Sequence, residues 1–331
     1  MALAFTLPPV ATASPAQPQA PTPATTAALA ATPAAAAPAP AAAAPAGAPA
    51  AAAAAPGSVI RHSFGNSAGS REYGLYQPAG EVRPGRPLIV FLHGCGGATP
   101  EEAVRQSGLT TLADQHGFLV AAPAQPPSTG FNGCWNWFLP WQQQRDAGEP
   151  SIIAGITREV IQREQIDPAR VYVAGFSAGG AMSTVMGATY PDLYAAVATF
   201  AGCGYPTCVD GTGLLARLRM GGLARPMPVL LGQGELDPIS VYPLGRLHLR
   251  QWLNANTLAG GGGPWLGPDR LSRNKPFDRE TYLDPSGCAL VEFLTVHGGK
   301  HTYFTEQPDY PAELTSFLLR QRLGAAPADC R

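Results

Sequence analysis

From about Val59 onward, short continuous apolar runs alternate with stretches of helical spacing. Pro87-Leu-Ile-Val-Phe-Leu92 is an unbroken apolar run, the pattern of a parallel strand covered on both faces. Similar runs predict strands over 118–122, 170–176, 195–201, 228–231 and 290–296, and residues 71–77 read as an edge strand before a turn-rich segment. Thr99-Pro100-Glu101-Glu102 supplies an N-cap, a Pro at the first helical position and a capping-box Glu. The helix it opens is predicted to end near Gly117, with further helices over 151–164, 177–189, 245–254 and 312–322. Strands alternating with helices imply a mostly parallel central sheet covered by helices on both faces. One domain over 58–324, followed by a tail over 325–331, accommodates these elements without a large cap domain.

The pattern is absent from residues 1–57, which are nearly all Ala, Pro and Thr and carry no charge before Arg61. Frequent Pro forbids continuous helix there, and the small side chains do not offset the entropy of ordering. The segment reads as a disordered low-complexity stretch, or as a short apolar leader (Ala2 to Val10) with a cleavage site at Ala11-Thr12-Ala13 and a Pro-rich spacer. It lacks the positive n-region of a standard leader. No stretch of roughly 20 apolar residues follows, so no membrane span is expected.

Charge narrows the function classes. The 331-residue chain has a formal net charge of -1, which leaves no electrostatic footprint for nucleic acid. Lys occurs only as Lys275 and Lys300, so the basic residues are almost all Arg. The six cysteines (Cys95, Cys134, Cys203, Cys208, Cys288, Cys330) show neither Cys-x-x-Cys nor Cys/His zinc spacing. No metal and no cofactor is therefore expected. An even count favours structural bridges, hence an exported protein, over buried free thiols in the cytoplasm.

The candidate chemistry centres on Gly175-Phe176-Ser177-Ala178-Gly179. A lone Gly-x-Ser-x-Gly is weak, but here it joins the strand at Val171-Tyr172-Val173 to a helix, the strand-turn-helix context in which a serine is raised above a sheet edge as a nucleophile. A serine needs a base, expected after the last strand, where His297 and His301 both occur. His301 is favoured because it lies beyond Gly298-Gly299 in the loop, whereas His297 still belongs to the strand end. The imidazole needs a carboxylate. Glu235 and Asp237 both follow a buried strand, with Asp237, deeper in the loop and followed by Pro238, the better placed. The order Ser177, Asp237, His301 is that of α/β hydrolases. Two backbone donors are needed for an oxyanion: the Ala178 N–H at the helix start and the Cys95 N–H in the loop His93-Gly94-Cys95-Gly96-Gly97. His93 itself reads as a structural loop histidine.

Several motifs in order carry a resemblance: His93-Gly-Cys-Gly-Gly97, Cys134-Trp135-Asn136-Trp137-Phe138, Gly148-Glu149-Pro150, Val171 to Gly180, and Gly299-Lys300-His301. Over roughly residues 60–322 the chain resembles the extracellular polyhydroxybutyrate depolymerases. That resemblance implies an α/β-hydrolase fold, secretion, hydrolysis of short-chain polyhydroxyalkanoates through an acyl-enzyme on Ser177, and oxyanion amides at Cys95 and Ala178. Tyr303-Phe304 stands where the family usually has an aromatic, often Trp, after the histidine. A separate polymer-binding domain, present in many members, is not expected after the closing helix, and both features turn the expectation away from crystalline polymer. The same motifs resemble feruloyl and acetylxylan esterases. A non-catalytic polymer-binding protein on a hydrolase scaffold is the third reading, opposed by the intact Ser177, Asp237 and His301.

An aromatic floor suits an apolar polyester chain, and Trp135 is expected to face substrate, largely on that resemblance, while Trp137 reads equally as floor or core. Cys95 and Cys134 are expected to form a disulfide, because each lies in a chemistry-bearing loop above the sheet's carboxyl edge. Cys203 with Cys208, and Cys288 with Cys330, are the remaining pairs. The expected partner is a polyester or small ester substrate, and the protein is expected to be a monomer.

Overall fold

The computed structural model describes residues 57–80, 83–303 and 309–325. The leader and spacer expected over 1–57, and the tail over 325–331, fall almost wholly outside these residues. The elements run β1 (Ser58–Asn66), β2 (Gly69–Gln77), β3 (Leu88–Leu92), α1 (Pro100–Ser107), α2 (Thr110–His116), β4 (Leu119–Pro123), α3 (Gly148–Arg163), β5 (Val171–Phe176) and α4 (Ala178–Thr189). They continue with β6 (Ala196–Phe200), α5 (Leu214–Met220), β7 (Val229–Gly234), α6 (Tyr242–Leu258), β8 (Arg270–Asn274), β9 (Phe277–Leu283), β10 (Ala289–Val296) and α7 (Tyr310–Arg320).

Among the described residues these strands form one sheet in the order β1-β2-β4-β3-β5-β6-β7-β10-β9-β8. The centre from β4 to β10 is parallel, and antiparallel pairs close both ends. Every residue of β3, β4 and β6 is buried, as continuous apolar runs in a doubly covered sheet require. Alternation along β5 sends Val171 and Val173 to one face and Tyr172 and Ala174 to the other. The first face packs against α3, α4, α5 and α6 and the second against α1, α2 and α7. Each fully buried Val, Leu or Phe contributes roughly 1.5–3 kcal/mol. This is the α/β-hydrolase fold, with no large cap domain among the described residues. No helix among them is long and apolar enough to cross a membrane.

The single helix expected from Pro100 to Gly117 is two. Thr99 caps α1 as predicted, exchanging bonds with Glu102 at 2.8 and 3.3 Å, but Gly108 turns left-handed at φ 66° and Leu109 is buried before α2 begins. The second helix, α2, still ends at Gly117, also left-handed.

Candidate active site

The crossover from β5 to α4 places one side chain apart from the rest. Ser177 has φ 54° and ψ -121°, a region that non-glycine residues adopt only when the surroundings enforce it. Its N–H donates to the Phe200 carbonyl at 3.0 Å and its carbonyl accepts from Ala181 at 2.9 Å, so both neighbours in the sheet and helix hold the turn. The flanking glycines are steric requirements. A Cβ on Gly175 would lie 2.5 Å from the Gly179 carbonyl carbon and 2.8 Å from the Leu92 carbonyl oxygen.

The Ser177 hydroxyl lies 2.9 Å from His301 Nε2, and His301 Nδ1 lies 2.8 Å from Asp237 Oδ2. A carboxylate only accepts, so Nδ1 carries the proton and Nε2 accepts from Ser177. The other Asp237 oxygen accepts the N–H groups of Ile239 (2.8 Å) and Ser240 (2.9 Å), which fixes the carboxylate with its side chain fully buried. The competing pair of side chains lies elsewhere. His297 Nδ1 lies 3.2 Å from Glu235 and its Nε2 3.0 Å from Asp278, and Glu235 also accepts the Gly298 N–H at 3.1 Å. These two carboxylates raise the His297 pKa above its ordinary value. Glu235 and His297 thus tie the acid-bearing loop to the histidine-bearing loop, and neither bonds Ser177 or His301.

The loop after β3 runs beside the serine: a Cβ on Gly94 would sit 3.5 Å from Ser177 Cβ and 3.0 Å from the Phe176 ring. Ala178 opens α4, so its N–H has no intrahelical acceptor. Cys95 and Ala178 line one cavity of about 210 Å³ together with Ser177, His301 and Trp137. Ala181, Ala201, Leu244 and Ile239 make the rest of its surface largely apolar, with Cys203 and Cys208 on the same lining.

Cys95 and Cys134 are joined by a disulfide, with Cα atoms 4.1 Å apart, and Cys203 is joined to Cys208. The expected partner of Cys288, Cys330, lies outside the described residues.

Trp135 corrects an expectation. It does not face substrate: the ring is fully buried, lies tilted against His93 with ring centres 5.6 Å apart and donates its indole N–H to the His93 carbonyl at 3.1 Å. An indole beside a tightly bonded loop backbone finds both an apolar slot and an acceptor inside the protein, which outweighs exposure. Trp137, two residues on, is half-buried and lines the cavity.

A network that the sequence reading left aside braces this side of the site. His93 is buried; its Nε2 accepts the Gln125 N–H (2.9 Å), which forces Nδ1 to donate to the Gly94 carbonyl (2.7 Å). Burial lowers its pKa, so the ring stays neutral. The Gln125 amide donates to the Cys134 carbonyl (3.1 Å) and to Glu149 (2.8 Å). Glu149, almost wholly buried, also receives the Asn136 N–H (2.8 Å), the Asn136 side chain (2.9 Å) and Arg71 (3.3 Å). The signal was in Gly148-Glu149-Pro150, because a charged residue opening a helix beside apolar neighbours is buried only with partners.

Among the described residues no group of three or more His, Cys, Asp or Glu side chains is arranged to hold a metal ion.

A strained serine after a central parallel strand, with a histidine bonded to a buried aspartate, both contributed by later loops, places the molecule among the α/β hydrolases. Residues 71–244 match the Esterase PHB depolymerase family, and the chain belongs to it. Poly(3-hydroxyalkanoate) depolymerase C of Paucimonas lemoignei is 33% identical over 258 residues, covering 72% of this chain and 60% of that protein. An acetylxylan esterase of Coprinopsis cinerea is 37% identical over 142 residues, 42% of this chain and 37% of that one. The chain thus spans less than two thirds of each of these relatives. The solved acetyl xylan esterase from Aspergillus awamori superposes with a TM-score of 0.66 at 20% identity, over 79% of this chain and 98% of that one, a likeness of fold.

Proposed function

We propose that the protein is a secreted serine carboxylic-ester hydrolase that cleaves poly(3-hydroxybutyrate)-type polyesters or their oligomers. The observation that carries this reading is the unbroken chain from Ser177 through His301 to Asp237, opening onto an apolar cavity. In the proposed mechanism His301 Nε2 takes the Ser177 proton as Oγ attacks the ester carbonyl, and buried Asp237 stabilises the imidazolium. The Cys95 and Ala178 N–H groups receive the oxyanion. The tetrahedral intermediate expels the alcohol, which takes the proton from His301, leaving an acyl-enzyme on Ser177. Water, deprotonated by His301, attacks the acyl carbon and releases the acid and the free hydroxyl.

The polymer reading draws on the depolymerase relative and on the rim. Phe131 (77% exposed), Trp141 (60%), Val209 (73%) and Leu236 (64%) lie on loops that follow β4, β6 and β7. These loops leave the same sheet edge as Ser177, and an apolar fringe of that kind suits an apolar chain more than a hydrated sugar. The acetylxylan esterase relative motivates a second reading, de-esterification of plant polysaccharide. The disulfides beside the site favour an oxidising compartment and hence export.

The test is parallel digestion of amorphous poly(3-hydroxybutyrate), acetylated xylan and methyl ferulate, with products identified by mass spectrometry. Release of 3-hydroxybutyrate or its short oligomers at the highest rate is expected. Release of acetate or ferulate with the polymer untouched would transfer the function to the second reading.

A further inference from the structure

The turn that follows β6 has two faces of different character. Its ends, Cys203 and Cys208, are bridged and line the cavity beside Ser177. Its middle points away and is bolted to the protein behind it. Tyr205 is buried, its N–H donates to Gln251 Oε1 at 2.7 Å, and its hydroxyl donates to the Gln143 carbonyl at 3.3 Å while accepting from Arg219 at 2.6 Å. Gln251 returns its amide to the Tyr205 carbonyl and to Asp210.

Trp137 lines the same cavity, and one buried amide ties the two walls together. Gln143 Nε2 donates to the Trp137 carbonyl at 2.8 Å and to the Pro206 carbonyl at 2.6 Å. Neither wall is therefore free to move independently of the other.

We propose that the Cys203–Cys208 disulfide, held in register with Trp137 by Gln143, is the gate that sets how long a chain the cavity admits. The inference rests on the ester-hydrolase reading and assigns its specificity. An ordinary side chain at a pocket wall swings to another rotamer when a longer substrate arrives. A bridged pair of sulfurs has no such freedom, and its apolar surface offers a long chain no polar group to displace. The cavity of about 210 Å³ therefore has a hard limit on this side. In a well-packed apolar pocket one methylene changes kcat/KM by roughly 10–200-fold.

The test uses the full chain carrying Cys203→Ala and Cys208→Ala together, which removes both sulfurs while Tyr205 and Gln251 keep the turn anchored. Two series are measured: p-nitrophenyl acetate through octanoate, which lengthens the acyl side, and methyl through octyl acetate, which lengthens the alcohol side. The expected result is that the kcat/KM ratio of the longest to the shortest substrate rises at least tenfold over wild type in one of the series. A smaller rise in both overturns the gate. Should circular dichroism show that the double variant fails to fold, Gln143→Met carries the test. It keeps both cysteines and loosens their wall, and a rise below threefold in both series overturns the proposal. A wild-type protein that hydrolyses no substrate in either series refutes the underlying ester-hydrolase reading instead.

Discussion

Ser177 illustrates how a single residue can be costly to the fold and, in the proposed mechanism, central to the chemistry. Its left-handed backbone stores on the order of 1–3 kcal/mol, maintained because Phe200 and Ala181 hold the turn from both sides. Two variants separate these aspects. Ser177→Ala is expected to lower kcat for ester hydrolysis by on the order of 10⁶ with the melting temperature nearly unchanged. Ser177→Gly should be equally inactive yet more stable by about 1 kcal/mol, since glycine enters positive φ freely; equal stability in a denaturant titration would show that the turn is unstrained. The neighbouring histidines make a second contrast. His301→Ala should abolish turnover, whereas His297→Ala should retain most of it, because His297 bonds Glu235 and Asp278 rather than Ser177. The reverse ranking would move the base to His297. In the sequence the choice between these residues rested on loop depth and on the Gly299-Lys300-His301 motif of the resemblance. What the sequence withheld at this scale was the direction of a side chain: Trp135 and Trp137 sit two apart in one motif, yet one is sealed against His93 and the other lines the cavity.

At the scale of elements, legibility followed the strength of the local signal. The buried parallel strands announced themselves as unbroken apolar runs, and α1 announced its start through Thr99, Pro100 and Glu102. The break at Gly108 was hidden because Leu109 continues the apolar spacing across it. Strands β8 and β9 were hidden for a different reason: Arg270 to Asn274 is exposed throughout, so the sheet edge lacks an alternating pattern and is specified by pairing with β9. Polar bracing was the least legible, since no periodicity reveals that Glu149, Gln125 and His93 meet. That bracing, with the Cys95–Cys134 bridge, is what holds the loop after β3 against Ser177. Replacing both cysteines by Ser is therefore expected to lower kcat by up to 10²–10³ with a smaller change in KM, as when an oxyanion donor is misplaced. Closing a segment of this length, with a sequence separation of 39, contributes roughly 3–4 kcal/mol in the chain-entropy model, so the variant should also melt earlier. An unchanged kcat in the folded variant would show that the bridge serves stability alone.

For the molecule as a whole, the decisive balance is between the buried layers on the two faces of the sheet and the few polar groups trapped within them. His248 is the clearest of these. It sits on α6 facing α4, fully enclosed, with Nε2 3.0 Å from Thr184 Oγ1 and accepting the Trp252 indole N–H at 3.2 Å. Burial pushes its pKa down to about 3, far below the ordinary value near 6.5. The folded protein then refuses a proton that the unfolded chain takes up. The associated stability is fully present above pH 6.5 and is lost progressively as pH falls toward 3, at about 1.4 kcal/mol per pH unit. His93, also lowered by burial, acts in the same direction. His297 acts oppositely: its raised pKa adds stability below pH 6.5 that fades as pH rises through the folded value, but its exposure keeps that contribution small. The net expectation is acid lability governed by the interior. His248→Gln retains a hydrogen-bonding side chain of similar length and cannot titrate. Between pH 6 and pH 4 the variant should lose about 2–3 kcal/mol less unfolding free energy than wild type, because one fewer proton is bound on unfolding. Urea titrations at the two pH values measure this difference directly. Parallel pH dependences in the two proteins would mean that His248 is protonated within the fold, and that its pocket admits water.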